Sequence, residues 1–280
     1  MNALELRAVN KKYPGFTLAL EHLELPGGCI MGLIGENGVG KSTTIKLILD
    51  MIRADSGQIT LLGEDIHKRK KLSREEIGVV LDGVGISGEL NAQEAGRIMK
   101  RIFQHWDRKV YDSLLDRFSL PRDKKFKDFS QGMKMKLNIV TALSHHAKLL
   151  ILDEPTNGLD PVARDDVMEL LEEFTRKEEH SVFISSHIVS DLEKICDYIA
   201  FLHQGRMLLC EEKDRLYEEY GVIHCSSEQF HKLEPSAVCG SRSSSYGVEA
   251  VVRRNAVPAE VPLSPVDIEQ LFIFMVKEAV

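Results

Sequence analysis

The chain has 280 residues, 43% of them hydrophobic, with a formal net charge of −7 and five cysteines. That length and apolar content can bury a large core, organised as one main domain with an appendage. The acidic balance, with no long Lys/Arg tract, excludes general nucleic-acid binding, and no apolar run approaches the roughly 20 residues needed to cross a bilayer. Cys29, Cys196, Cys210, Cys225 and Cys239 form no C-x-x-C pair and no metal spacing, so a reduced, cytosolic setting is expected. The N-terminus reads as having no signal peptide.

In chain order, apolar and polar residues alternate up to about residue 30 and again over Gln58-Ile59-Thr60-Leu61-Leu62, which predicts an antiparallel sheet. Cys29-Ile30-Met31-Gly32-Leu33-Ile34 reads as a buried strand, and 42–49 as a helix packing through Ile45, Leu47, Ile48 and Leu49. Ile77-Gly78-Val79-Val80-Leu81-Asp82 is a further strand, and the glycine-rich loop 83–88 after it is expected to be mobile. Residues of about 87–147 look mostly helical. Asn91-Ala92-Gln93-Glu94 resembles a capping box, and Ile98, Met99, Ile102, Phe103 and Trp106 follow at helical spacing, a stripe expected to pack. Leu149-Leu150-Ile151-Leu152 and Ser181-Val182-Phe183-Ile184-Ser185 are short strands, and 197–209 a hairpin turning at Gln204-Gly205. Beyond 220 the composition shifts to Ser, Val and Pro. Residues 221–280 are expected to form a small accessory unit ending in an amphipathic helix over 266–278, set apart from a main domain of 1–220.

Three segments carry chemistry. Gly35-Glu36-Asn37-Gly38-Val39-Gly40-Lys41-Ser42, with Thr43 beside it, fits the phosphate-binding pattern G-x-x-x-x-G-K-[ST] between a strand and a helix. Its glycines let backbone N–H groups turn inward around phosphate oxygens, and the helix start adds its positive dipole end. Lys41 suits the β- and γ-phosphates, and the Ser42 hydroxyl is placed for magnesium. The strand ending in Asp153-Glu154-Pro155 puts two carboxylates where desolvation makes filler costly. Asp153 fits a magnesium-positioning role and Glu154 the orientation or deprotonation of an attacking water. Ser186-His187 follows another strand at the same sheet edge. The imidazole of His187 is read as a γ-phosphate or water contact, the alternative being a packed or surface histidine.

With Phe129-Ser130-Gln131-Gly132-Met133 added, the chain resembles the nucleotide-binding subunit of ATP-binding cassette (ABC) transporters over about residues 3–215. The resemblance implies an α/β P-loop NTPase cassette, with a mixed sheet core, an antiparallel β subdomain and a helical subdomain carrying the signature at 129–133. It implies ATP and Mg2+ as ligands, and Tyr13 stacked on adenine unless it is a plain surface tyrosine. Two cassettes would pack head to tail, as a homodimer or with a sister cassette. Each would close Ser130 and Gly132 over the ATP of the other, with Asp160 of the Gly158-Leu159-Asp160 segment at the seam.

The same resemblance implies an ATPase at the cytoplasmic face of the cell membrane driving a separate integral membrane permease, with an exporter favoured over an importer. Relative to the usual Leu-Ser-Gly-Gly-Gln, Phe129, Gln131 and Met133 differ, while Ser130 and Gly132 are kept. Asp82 stands where the family has glutamine. It either reaches magnesium as a full negative charge or is a solvated loop acid. The short interval between Lys41 and Ser130 leaves no room for the coiled coils of chromosome-structure ATPases, and a single cassette argues against a translation factor. The remaining alternative is a regulatory or sensor cassette that does not transport.

Overall fold

In the computed structural model, residues 1–68, 75–83, 85–245, 247–258 and 261–278 are described. The N-terminal alternation folds as β1 (Asn2–Tyr13) and β2 (Phe16–Pro26), paired antiparallel, with β3 (Ile30–Ile34) buried at every position. Helix α1 (Lys41–Ile48) follows the phosphate loop, then come β4 (Ser56–Leu61), the two-residue β5 (Glu64–Asp65) and β6 (Ile77–Val80). The helical region holds α2 (Ala92–Ile102), α3 (Arg108–Arg117) and α4 (Gln131–Leu143). Strand β7 (Leu149–Asp153), helix α5 (Pro161–Thr175), strand β8 (Ser181–Ser186) and helix α6 (Val189–Ile195) return the chain to the sheet. The expected hairpin is β9 (Tyr198–His203) and β10 (Arg206–Glu212).

Among the described residues these strands form one mixed sheet in the order β5-β4-β1-β2-β10-β9-β3-β8-β7-β6. The β9-β3-β8-β7-β6 section is parallel, which explains why its strands read as continuous apolar runs with helices over them. The antiparallel wing, β1 with β2, β4 and β5, joins that core through a single parallel pairing, Arg206 opposite Ala19. Register fixes what leaves the sheet together. Ile34 pairs with Ser186 and Asp153 with Ser185, so Gly35, Glu154 and His187 emerge side by side at the carboxyl edge.

The helical region has its own core of Ala92, Tyr111, Leu115, Leu120, Phe126, Phe129, Leu137 and Val140. Asn91 and Glu94 do form the expected capping box on α2. The stripe on that helix does not behave as expected. Ile98 and Ile102 are 39% and 58% exposed, and the face that packs is the small one, Ala92, Ala95 and Gly96. The ring of Tyr111 lies so close to Gly96 that an added Cβ would stand 2.7 Å from it, so small residues win the interior side. Met99, Ile102 and Phe103 instead line a groove of about 510 Å³ shared with Val79, Leu81, Ile86 and His145. In the loop 83–88, Val84 lies outside the described residues; Gly85 sits against the Asn138 side chain, and the Gly88 carbonyl accepts from Lys127 N at 3.0 Å.

After α7 (Lys213–Glu219), strand β11 (Tyr220–Cys225), helix α8 (Ser227–Phe230), and strands β12 (Val238–Ser244) and β13 (Gly247–Arg253) build a three-stranded antiparallel sheet ordered β11-β13-β12. The last helix, α9 (Ile268–Glu278), carries Leu271, Phe272 and Phe274 into the same core cluster as Leu192 and Phe201, and the Phe201 and Phe272 rings meet edge-on at 5.1 Å. Leu271 is fully buried. Leu271→Ala is expected to lower the unfolding free energy by about 2–5 kcal/mol in chemical denaturation. An unchanged midpoint would mean that α9 adds nothing to the core.

Candidate active site

Gly38 and Gly40 sit at φ of 84° and 117°, in the left-handed region where a side chain is strained, so the loop can coil tightly between β3 and α1. Gly40 caps α1 without a side-chain hydrogen bond, leaving the first amides of the helix for a ligand. Lys41 is 6% exposed, and its Nζ donates to the Gly35 carbonyl at 2.7 Å and to the Glu36 carbonyl at 3.1 Å. It also lies 3.0 Å from Glu154 Oε1.

Glu154 is the focus of the site. Its φ of 51° is unusual for a side chain this large, and its amide is held by the Ser185 carbonyl at 3.1 Å and the Ser185 hydroxyl at 3.2 Å. The far carboxylate oxygen, Oε2, accepts from His187 N at 3.3 Å and lies 2.8 Å from His187 Nδ1. One carboxylate therefore bridges the phosphate-loop lysine and the histidine at the end of β8. Next to it, the buried Asp153 accepts from the Ser185 hydroxyl at 2.6 Å. Sequence reasoning missed Ser185, which organises both acids. Its only signal was a hydroxyl residue closing an apolar strand.

A cavity of about 460 Å³ gathers Tyr13, Asn37, Gly38, Gly40, Lys41, Ser42, Thr43, Asp82 and Glu154, with Phe16 and Asn157 added. The two additions were not singled out from sequence, although each stands near a motif residue. Tyr13 is 41% exposed at the rim, with Lys11 Nζ 5.8 Å from its ring centre. The lining suits a nucleotide, since it combines aromatic rings, loop glycines, a lysine and acids. Among the described residues no three His, Cys, Asp or Glu side chains gather into a metal site. A divalent ion here would have to draw on hydroxyl, carboxylate and phosphate oxygens together; Ser42 lines the cavity, whereas Asp153 and His187, both expected at the site, are not among its lining residues.

Ser130, Gly132 and Asp160 do not line this cavity. They form a separate face. The Ser130 hydroxyl caps α4, accepting from Met133 N at 3.2 Å, and the helix starts at Gln131. Asp160 caps α5, accepting from Val162 N and Ala163 N at 3.1 and 3.0 Å. The bond from Ala163 holds its carboxyl below the usual range, so it stays charged. A Cβ on Gly132 would stand 3.0 Å from Ala163 Cβ and 4.0 Å from Asp160 Oδ2, so the two segments touch. Phe129 is buried against Phe126, an anchor for the signature segment.

A sequence profile described as "ABC transporter" matches residues 21–157, and one for an "AAA domain, putative AbiEii toxin, Type IV TA system" matches 125–190. The chain is 37% identical over 201 residues to the bacitracin transport ATP-binding protein BcrA of Bacillus licheniformis, covering 70% of this chain and 66% of that one. It is 33% identical over 218 residues to the ABC transporter ATP-binding protein YtrB of Bacillus subtilis, covering 78% and 74%. An uncharacterized ABC transporter ATP-binding protein of the same organism, YhcH, aligns over 98% of this chain and 91% of its own length at 31% identity. Among solved structures, an ATP-binding subunit of an ABC transporter superposes with a TM-score of 0.68 at 29% identity, covering 77% of this chain and 92% of that one. The strand-edge constellation of Lys41, Glu154 and His187 thus sits in a cassette fold with close relatives, and the chain belongs to the ABC transporter ATP-binding family as one of its ATPases.

Proposed function

We propose that this chain is the ATP-hydrolysing subunit of an exporter whose membrane pathway is a separate permease, working at the cytoplasmic face of the membrane. The observation that carries the catalytic part is the Glu154 carboxylate bridged between Lys41 and His187 beside the phosphate loop. Amides of residues 35–43 bind the phosphates, Lys41 neutralises the β- and γ-groups, and Tyr13 with Phe16 offers faces for the base. Glu154 orients the attacking water and takes its proton, while His187 fixes the carboxylate. Ser42 and Asp82, which line the cavity, and Asp153 at the end of β7 would hold a magnesium ion, which would neutralise charge on the phosphates.

Ser130, Gly132 and Asp160 act on the ATP of a second cassette, identical or related. Ser130 and Asp160 are exposed, Gly132 is buried beside Ala163, and none of the three lines the chain's own cavity, which supports an in-trans role. A hydroxyl that accepts the Met133 N–H still has its own proton to donate. For the permease, no helix among the described residues is long and apolar enough to cross a membrane, so the partner supplies the spans. The groove beside α2 suits it. Ile102 and Val79 are exposed in its lining, and Arg97, Ile98, Lys100 and Arg101 are exposed on the same helix, a pattern for a partner helix with apolar and acidic residues. Export is favoured by relatives named for Nod factor export and for bacitracin and lantibiotic transport. Residues 221–278, built on the cassette core through α9, are an accessory element of the subunit.

Glu154→Gln is expected to slow ATP turnover by a factor on the order of 10²–10⁴ and to trap an ATP-bound dimer visible by light scattering. A mutant that stays monomeric at saturating ATP would count against the in-trans signature. Asp82→Gln is expected to shift the magnesium dependence of turnover; an unchanged titration would put Asp82 outside the metal shell. Ile102→Glu is expected to abolish co-purification with the membrane subunit while leaving turnover of the isolated chain intact, and retained co-purification would move the docking face elsewhere.

A further inference from the structure

Glu36 is the acidic side chain within the phosphate loop 35–42. A carboxylate next to a triphosphate repels it, so its place in the loop calls for a reason. Its side chain is 53% exposed, and Oε2 lies 2.9 Å from Nδ1 of His203, whose side chain is only 7% exposed at the end of β9. The other ring nitrogen, Nε2, is buried with no hydrogen-bond partner among the described residues. A proton placed there would be desolvated without an acceptor, so the ring carries its proton on Nδ1 and donates it to Glu36. The backbone of Glu36 is engaged as well, since its carbonyl accepts from Lys41 Nζ at 3.1 Å.

The surroundings make this more than a chance contact. The Leu202 carbonyl presses so closely on the loop that a Cβ on Gly35 would stand 2.6 Å from it. At the turn between β9 and β10, Gly205 N donates to the Val39 carbonyl at 3.1 Å. The hairpin thus backs the loop at three successive points: Leu202 on Gly35, His203 on Glu36 and Gly205 on Val39.

We propose that His203 is a positioning residue for ATP binding: it holds the Glu36 carboxylate away from the phosphates and so fixes the Glu36 carbonyl that orients Lys41. This role concerns nucleotide binding by a single chain, so it stands or falls independently of export and of permease docking. His203→Phe keeps the buried volume and removes the donor. It is expected to weaken Mg-ATP binding to the purified chain roughly tenfold by calorimetry, the scale of one charge-assisted hydrogen bond. Turnover at saturating ATP should stay within about twofold, since bound ATP itself then orders the loop. His203→Gln, which keeps an amide donor, is expected to recover most of the affinity.

Glu36→Ala, at an exposed position that tolerates substitution, tests the same role if the histidine variant does not fold. It removes a repelling charge and should nevertheless weaken ATP binding, and His203→Phe should add nothing in its background. Wild-type affinity in His203→Phe, tighter or unchanged ATP binding in Glu36→Ala, or a full additional loss in the double variant would each overturn the proposal.

Discussion

The site is organised around one carboxylate held between two positive or proton-bearing neighbours. Glu154 leaves β7 in a left-handed backbone conformation, which costs about 1–3 kcal/mol for a residue with a side chain. The surrounding parallel strands supply what offsets it. Ser185, directly opposite Asp153 on β8, bonds the Glu154 amide through its carbonyl and its hydroxyl, and bonds Asp153 with that hydroxyl's proton. That turn directs the side chain across the sheet edge between Lys41 and His187. In a straight continuation of the strand, Glu154 would follow the alternation of β7, and its oxygens would not be set by register to meet both partners. The parallel register of β3, β7 and β8 is therefore the constraint from which the catalytic geometry follows.

Local patterns carried much of this into the sequence. The phosphate loop, the two apolar strands and their terminal acids, the capping box of α2 and the β9–β10 turn all depend on residues within about a dozen positions of each other, and all are visible as spacing. The α2 stripe shows where such reading stops. Periodicity states that a helix has an apolar face, but not which side the neighbours cover. In this fold Tyr111 leaves no room for a Cβ at Gly96 on the inward face, where Ala92 and Ala95 are also buried, and the larger Ile98 and Ile102 are left outside. The Glu36–His203 contact spans most of the chain length and has no local pattern at all. The apolar run at the C-terminus announced a helix, but nothing in it announced that Phe272 would meet Phe201.

Ser130 and Asp160 show how one residue can serve both folding and chemistry without conflict. Each is an N-cap, a contribution of about 1 kcal/mol to its helix. Each cap uses only part of the side chain. Ser130 commits a lone pair to Met133 N and keeps its proton; Asp160 commits Oδ1 to two amides and keeps Oδ2. Gly132 is tightly placed beside them, since a Cβ there would stand 3.0 Å from Ala163 Cβ and force a shift. The signature and the Asp160 turn are thus one packed unit, and any rotation of the helical region that moves one must carry or strain the other.

The same logic of shared attachment applies to His187. It precedes α6, whose Leu192 packs under β3 so closely that a Cβ on Gly32 would meet it at 3.0 Å. One residue further, Glu193 accepts from Ile268 N at the start of α9 and from Tyr217 of α7, and its carbonyl accepts from Lys213. The helix behind the histidine is therefore fixed from the core on one side and from the C-terminal elements on the other. A displacement of His187 large enough to release Glu154 must either bend the short segment between β8 and α6 or shift α6 against both attachments. Besides the two His187 contacts to Glu154 that any release must break, the first breaks the Ile188 N to Ser186 hydroxyl bond. The second disturbs a close-packed contact and several polar bonds. Small, hinge-like motion of residues 187–188 is thus the cheaper path for this histidine to follow a change at the phosphates.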